Sequence, residues 1–289
     1  MSQVYVLFNP RSGMGNAQDD IGVLQSFFRE EMHCLDITQI GDVREFLSNI
    51  DPKDAIVICG GDGTLNRFVN NTCGISYENP VYYYPTGSGN DFFRDIGKTK
   101  SDGPALINDY IRNLPCVNTN GETHRFLNGV GYGIDGYCCE VGEQLRKRGK
   151  KPNYTAIAVK GLLFHYVPTS ATVIVDGVEH HFRRVWIAPT MHGRYYGGGM
   201  MPTPNQQRMD DDGKLSVMVM HSSGKIGTLC VFPSIFQGTH LRHQKKVALY
   251  EGHDIIVRFD RPVTLQIDGE VILRVSEYRA YSKTAAKAR

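Results

Sequence analysis

Ala55-Ile56-Val57-Ile58-Cys59-Gly60-Gly61-Asp62-Gly63-Thr64-Leu65-Asn66 joins a short apolar run to a glycine-rich loop and then to residues with helical spacing. A continuous apolar run of this kind suits a strand covered on both faces, as in a parallel sheet with helices between its strands. Consecutive glycines let backbone amides approach phosphate oxygens that a β-carbon would exclude. The aspartate stands out, because a carboxylate beside a polyphosphate is repulsive unless a divalent cation lies between them. Asp62 is therefore expected to organise Mg²⁺ on a bound nucleotide. Thr64 would open a helix whose N-terminus adds partial positive charge. The competing reading is a glycine turn in which Asp62 caps a helix.

The same strand-loop-helix plan occurs twice more. Val4 to Phe8 leads into Asn9-Pro10-Arg11-Ser12-Gly13-Met14-Gly15-Asn16, and Val81 to Tyr84 into Pro85-Thr86-Gly87-Ser88-Gly89-Asn90-Asp91. Loops after parallel strands collect at one sheet edge, where α/β folds bind ligands. The first loop lacks the Gly-Lys-Ser/Thr ending of a P-loop, so a lysine-on-phosphate mechanism is not expected. Asn9, Ser12 and Ser88 are candidates for hydrogen bonds to phosphate or sugar. Asn90 and Asp91 read equally well as a helix cap.

Beyond about Asn118 the texture changes to alternating apolar and polar residues with Asp-Gly turns, as at Asp176-Gly177 and Asp268-Gly269. That pattern predicts a β-rich second domain with hairpins, interrupted by a helix over Tyr154 to Tyr166. Domains are expected at 1–118 and 119–273, with a tail from about 274 to 289 packing back on the first. The chain has 289 residues and is 41% hydrophobic, enough for one large or two modest cores. Thirty-two basic against thirty acidic residues give a formal charge of +2, too little for a nucleic-acid partner. Seven cysteines without metal-ligand spacing fit a reducing compartment. No signal-peptide layout or bilayer-length apolar run is visible, so a cytoplasmic protein is expected.

Asn9-Pro10-x-Ser12-Gly13, Gly60-Gly61-Asp62-Gly63-Thr64-Leu65-Asn66 and Gly87-Ser88-Gly89-Asn90-Asp91-Phe92, in that order, resemble the diacylglycerol kinase catalytic-domain family, which includes bacterial lipid kinases, sphingosine kinases and ceramide kinases. Phe126-x-Asn128-x-x-Gly131-x-Gly133-x-Asp135, Tyr196-Gly197-Gly198-Gly199-Met200, Asp212-Gly213-Lys214-Leu215 and Gln266-Ile267-Asp268-Gly269-Glu270 extend the resemblance over nearly the whole chain. It implies a Rossmann-like α/β nucleotide-binding domain, a β-sandwich second domain and an active site in the cleft between them. ATP would be lined by Asn9, Pro10, Arg11, Ser12 and Gly13, then Gly60, Gly61, Asp62, Gly63, Thr64, Leu65, Asn66 and Arg67, then Gly87 and Ser88. Thr38 is a less secure nucleotide contact.

Asp268 and Glu270 flank a tight glycine, so both side chains are candidates to emerge on one side of a turn. The resemblance favours Glu270 as the general base for a lipid hydroxyl, with Asp268 its competitor. A hairpin turn with solvated acids is the plainer reading. Asp210-Asp211-Asp212-Gly213 reads as a solvated turn, or, by resemblance, as a structural Mg²⁺ site using Asp212 with the carbonyls of Met209 and Lys214.

The chain departs from the family pattern at Arg67, where glutamate is usual, and at Thr190-Met191-His192-Gly193-Arg194, which puts lipid choice in question. The expected activity is ATP- and Mg²⁺-dependent phosphorylation of a lipid hydroxyl, with diacylglycerol ahead of sphingoid or related lipids. Transient peripheral membrane contact is expected through Arg146 to Lys151, Arg242, Lys245 and Lys246, and a homodimer stays open. The rivals are an NAD kinase-like enzyme and a non-catalytic nucleotide- or lipid-binding regulator.

Overall fold

A computed structural model describes residues 2–10 and 17–282. Arg11, Ser12 and Gly13, expected at the nucleotide, lie outside the described residues, as does the chain beyond Ser282. The chain separates into two units, Met1–Asn113 and Leu114–Arg289. A boundary at 118 would cut the strand Cys116–Thr119, and residues 274–281 of the tail expected from 274 belong to the strand Glu270–Tyr281 of the second unit.

In the first unit the elements run β1 (Val4–Phe8), α1 (Ala17–Leu24), β2 (Met32–Asp36), α2 (Val43–Ser48), β3 (Ala55–Gly60), α3 (Asp62–Asn71), β4 (Val81–Pro85), α4 (Asp91–Asp95), β5 (Ala105–Leu106) and α5 (Asn108–Arg112). The sheet order is β2-β1-β3-β4-β5, parallel except for β5 at the edge. Val6, Leu7, Ile56, Val57 and Ile58 are fully buried, which is why these strands read as unbroken apolar runs. α3 buries Leu65, Phe68 and Val69 at helical spacing, each worth about 1.5–3 kcal/mol when fully removed from water. Since β2 lies on one side of β1 and β3 on the other, strand order reverses there, which puts the binding crevice of such a sheet at the ends of β1 and β3.

The second unit continues with β6 (Cys116–Thr119), β7 (Glu122–Arg125), β8 (Gly129–Tyr132), α6 (Ile134–Lys147), α7 (Tyr154–Lys160) with wider turns over Gly161–His165, β9 (Thr169–Val175), β10 (Val178–Val185), β11 (Thr190–Met191), β12 (Leu215–Met220), α8 (Lys225–Val231), β13 (Val247–Gly252), β14 (Asp254–Ile267) and β15 (Glu270–Tyr281). Apart from neighbouring hairpins, pairing follows the order β13-β12-β11-β8-β14-β15-β6-β7, with β9 on β14 and β10 on β9. β14 pairs with β9 through Ile255–Phe259 and with β8 through Leu265–Ile267. Its pairing with β15 shifts register between Arg258 and Leu265, and such a bulge bends a strand. The hydrogen-bonded network thereby wraps a core that includes Val130, Tyr132, Val173, Val217, Val257, Leu265 and Tyr278.

Three hairpins close on Asn120-Gly121, Asp176-Gly177 and Asp268-Gly269, where both residues have positive φ. Two-residue turns of this hand match the right-handed twist of the strands they join.

Candidate active site

The second and third glycine loops are joined backbone to backbone. A β-carbon on Gly87 would lie 2.6 Å from Gly61 Cα, and one on Gly60 would meet the Thr64 side chain at 2.5 Å. Glycine is required at both positions by close approach alone. The Gly60 carbonyl accepts from Thr86 N at 2.9 Å and from the hydroxyl of buried Tyr83 at 3.1 Å. Asp62 completes the junction: its carboxylate accepts from Asp91 N at 3.0 Å and Phe92 N at 2.9 Å, the first amides of α4.

The negative charge among the glycines thus meets the amide-bearing start of a helix. Asp62 acts as a cap, on α4 rather than on the helix it opens. Asn90, in the left-handed region at φ 52, donates to the Gly87 carbonyl at 2.8 Å.

Gly63 differs from its neighbours. A β-carbon there would meet nothing within 4 Å, so packing does not demand glycine. Its backbone borders open space at the start of α3, whose N-cap, Gly61, makes no side-chain cap hydrogen bond. Asn9, at the end of β1, reaches this same turn by donating from Nδ2 to Thr64 Oγ1 at 3.0 Å, and its amide binds the Cys59 carbonyl at 3.1 Å. Asn9 at the end of β1 and the loops after β3 and β4 therefore meet at one edge of the sheet, and backbone donors with space beside them suit an anion.

Not all the nucleotide candidates present side chains there. Leu65 is fully buried and Thr64 and Asn66 nearly so, whereas Pro10, Arg67 and Ser88 are exposed. Thr38 follows β2 and donates from both its amide and hydroxyl to Asp36 Oδ1, at 2.8 and 2.7 Å.

In the second unit the two carboxylates of the Asp268-Gly269 turn are held differently. Asp268 accepts from Leu127 N at 2.5 Å, Asn128 N at 2.8 Å and Gly129 N at 3.0 Å. It anchors the entry to β8 through these three amides. Glu270 is exposed at the first position of β15, the better placed of the two for taking up a proton.

Asp212 is half exposed and paired with the Lys214 ammonium, with His253 Nε2 at 3.7 Å. The Lys214 hydrogen bond and charge hold its carboxyl below the usual carboxylate range. The Lys214 carbonyl accepts from Gln206 Nε2 at 2.9 Å, and the Met209 side chain is exposed. These residues give a cation one carboxylate, already neutralised by lysine, and the described residues include no group of three or more His, Cys, Asp or Glu suited to a metal ion.

One group escaped the site assignment from sequence. Asp135, in the first turn of α6, is buried, accepts from the Tyr196 hydroxyl at 3.1 Å and keeps Oδ1 without a hydrogen-bond partner. Burial pushes its carboxyl up to about 6 against opposing hydrogen bonds, including those of Gly136, Tyr196 and Gln266. A β-carbon on Gly131 would fall 1.7 Å from its Oδ2. The Gly131-x-Gly133-x-Asp135 spacing was the available signal, read only as a family signature.

Residues 3–115 match the diacylglycerol kinase catalytic domain model and residues 128–280 the YegS C-terminal NAD kinase beta sandwich-like domain model. Diacylglycerol kinase of Mycobacterium tuberculosis is 25% identical over 256 residues, covering 83% of this chain and 80% of that protein. Diacylglycerol kinase of Bacillus subtilis is 24% identical over 285 residues, covering 93% and 90%. A crystal structure of a diacylglycerol kinase from Bacillus anthracis shares the fold, with a TM-score of 0.62 at 18% identity over 97% of this chain and 94% of that one. A catalytic domain followed by its β-sandwich-like partner, in one chain aligned nearly end to end with such relatives, makes this protein a member of the bacterial diacylglycerol and lipid kinase family, and a lipid kinase.

Proposed function

We propose that the enzyme transfers the γ-phosphate of ATP, in the presence of Mg²⁺, to the hydroxyl of diacylglycerol, giving phosphatidic acid and ADP. The observation that carries this reading is the junction of the second and third loops at the carboxyl ends of β3 and β4, with Gly63 bordering open space. Backbone amides at the start of α3 would bind phosphate oxygens without reorganising. Asn9 and the Asp62 cap on α4 would keep the loops in place. Glu270 takes the proton as the lipid hydroxyl oxygen bonds to the γ-phosphorus, and the bond from that phosphorus to the bridging oxygen breaks to release ADP. Asp268 acts through the turn that presents Glu270.

Magnesium would arrive on the nucleotide and neutralise charge on its phosphates. Diacylglycerol is favoured as acceptor by the names of the relatives above, with sphingoid and related lipids behind it.

The test is incubation of the purified protein with γ-labelled ATP, Mg²⁺ and diacylglycerol, other lipids or NAD in detergent micelles. Label is expected in phosphatidic acid, and chelation of Mg²⁺ should abolish it. Label confined to NAD would overturn the reading.

A further inference from the structure

Among the described residues Arg208 is the one lysine or arginine that is buried, at 9% exposure. A guanidinium out of water is costly unless its donors are used, and here they meet the segment that Asp268 holds. Arg208 Nη1 donates to the Leu127 carbonyl, and Nη2 donates to Asn128 Oδ1 at 2.8 Å. The peptide group between Leu127 and Asn128 therefore lies between opposite charges. Its carbonyl faces the guanidinium, and its N–H, that of Asn128, donates to the Asp268 carboxylate at 2.8 Å. The peptide dipole turns its negative end to the cation and its positive end to the carboxylate, so each hydrogen bond polarises the group in the sense that strengthens the other.

Arg208 is itself held in place. It follows Gln206, whose Nε2 donates to the Lys214 carbonyl at 2.9 Å and whose Oε1 accepts from the Ser216 hydroxyl, which ties the segment to the start of β12. On the other side, the Asn128 carbonyl accepts from His192 N at 2.9 Å and Gly193 N at 3.2 Å. The Gly193 carbonyl accepts from the Thr203 hydroxyl at 3.1 Å. Asp268 N closes the arrangement on the Gly129 carbonyl at 3.1 Å. Because a guanidinium is a planar fork, two hydrogen bonds from it fix orientation as well as distance. Glu270, two residues beyond Asp268 and first in β15, takes its position from this chain of contacts.

We propose that Arg208 is a positioning residue for Glu270: through the Leu127–Asn128 peptide and Asp268 it fixes the turn that presents the base to the acceptor hydroxyl. The inference rests on the proposed role of Glu270 as general base.

The test is a double-mutant cycle, with phosphorylation of diacylglycerol in detergent micelles measured for wild type, Arg208→Lys, Arg208→Met, Glu270→Gln and the two combinations. Lysine keeps the charge but cannot hold both oxygens as a fork does. Arg208→Lys should therefore lower kcat by about tenfold or more, and Arg208→Met further still, with the KM for ATP unchanged. In the Glu270→Gln background neither substitution should lower kcat again, since the group being positioned is gone. A merely structural role gives the same fold loss in both backgrounds; that result, or wild-type kcat in Arg208→Met, would overturn the proposal. If thermal melting shows Arg208→Met to be unfolded, the lysine variant completes the cycle. Wild-type turnover in Glu270→Gln would sink the general-base reading and this proposal together, whereas a fall in Glu270→Gln with an equal further loss from the Arg208 substitution keeps the base and removes the positioning role alone.

Discussion

Asp268 and Glu270 stand two residues apart and are held in opposite ways, one bound to backbone amides and the other exposed. Asp268 binds three backbone amides, so Asp268→Asn, which tolerates the same positive φ, should cost about 2 kcal/mol or more by leaving buried amides against an NH₂ group. Denaturant titration reads this. Glu270 is exposed, so Glu270→Gln should melt as the wild type while kcat falls by about 100-fold or more, the scale of a lost general base. Wild-type turnover in Glu270→Gln would remove the residue from the mechanism. Asp135 supplies the pH dependence. Burial raises its folded-state pKa from 3.8 to about 6, so the folded protein holds the proton more tightly than the unfolded chain. This contribution is fully present below pH 4 and is lost as pH rises through 6, an upper bound of about 3 kcal/mol. In Asp135→Asn the melting temperature between pH 4 and 6 should lose that downward component; an unaltered profile would mean that Asp135 does not titrate there.

At the scale of elements, two glycines of similar appearance in sequence have different causes. A methyl group on Gly87 would run into Gly61, whereas one on Gly63 would meet only open space. Gly87→Ala should therefore separate the loops after β3 and β4 and lower both stability and ATP affinity. Gly63→Ala should leave stability within about 0.5 kcal/mol and weaken ATP binding by about tenfold or more by intruding on the phosphate space. Calorimetric titration with ATP beside thermal melts distinguishes the two; if Gly63→Ala binds ATP as the wild type does, the phosphates are not held at the start of α3. The three strand-loop units and the hairpin turns were legible because apolar run length and Asn-Gly or Asp-Gly pairs act locally. The role of Asp62 was not, since its amide partners belong to α4, some thirty residues away in sequence. The division between Asp268 and Glu270 was equally hidden, because Leu127 to Gly129 approach Asp268 only through the pairing of β8 with β14.

For the whole molecule, composition was the least informative guide, because a formal charge of +2 averages over an uneven distribution. Ten basic residues lie in two acid-free stretches of the second unit, so the remainder of the chain is net acidic. The first unit meanwhile gathers Asn9 and two glycine loops at one sheet edge. Helical spacing in 154–166 marked a helix, and Leu162 and Tyr166 join a core cluster, whereas the exposure of Phe164 could not be read from spacing. A nucleotide held by the glycine loops, as proposed, predicts a footprint in hydrogen exchange confined to the first unit. ATP with Mg²⁺ should slow exchange in 61–64 and 86–92 and leave 159–167 and 225–236 unchanged. Protection of this kind follows from amides held by a ligand or screened by a surface. ATP-dependent protection confined to the second unit would refute the placement of the nucleotide at the start of α3.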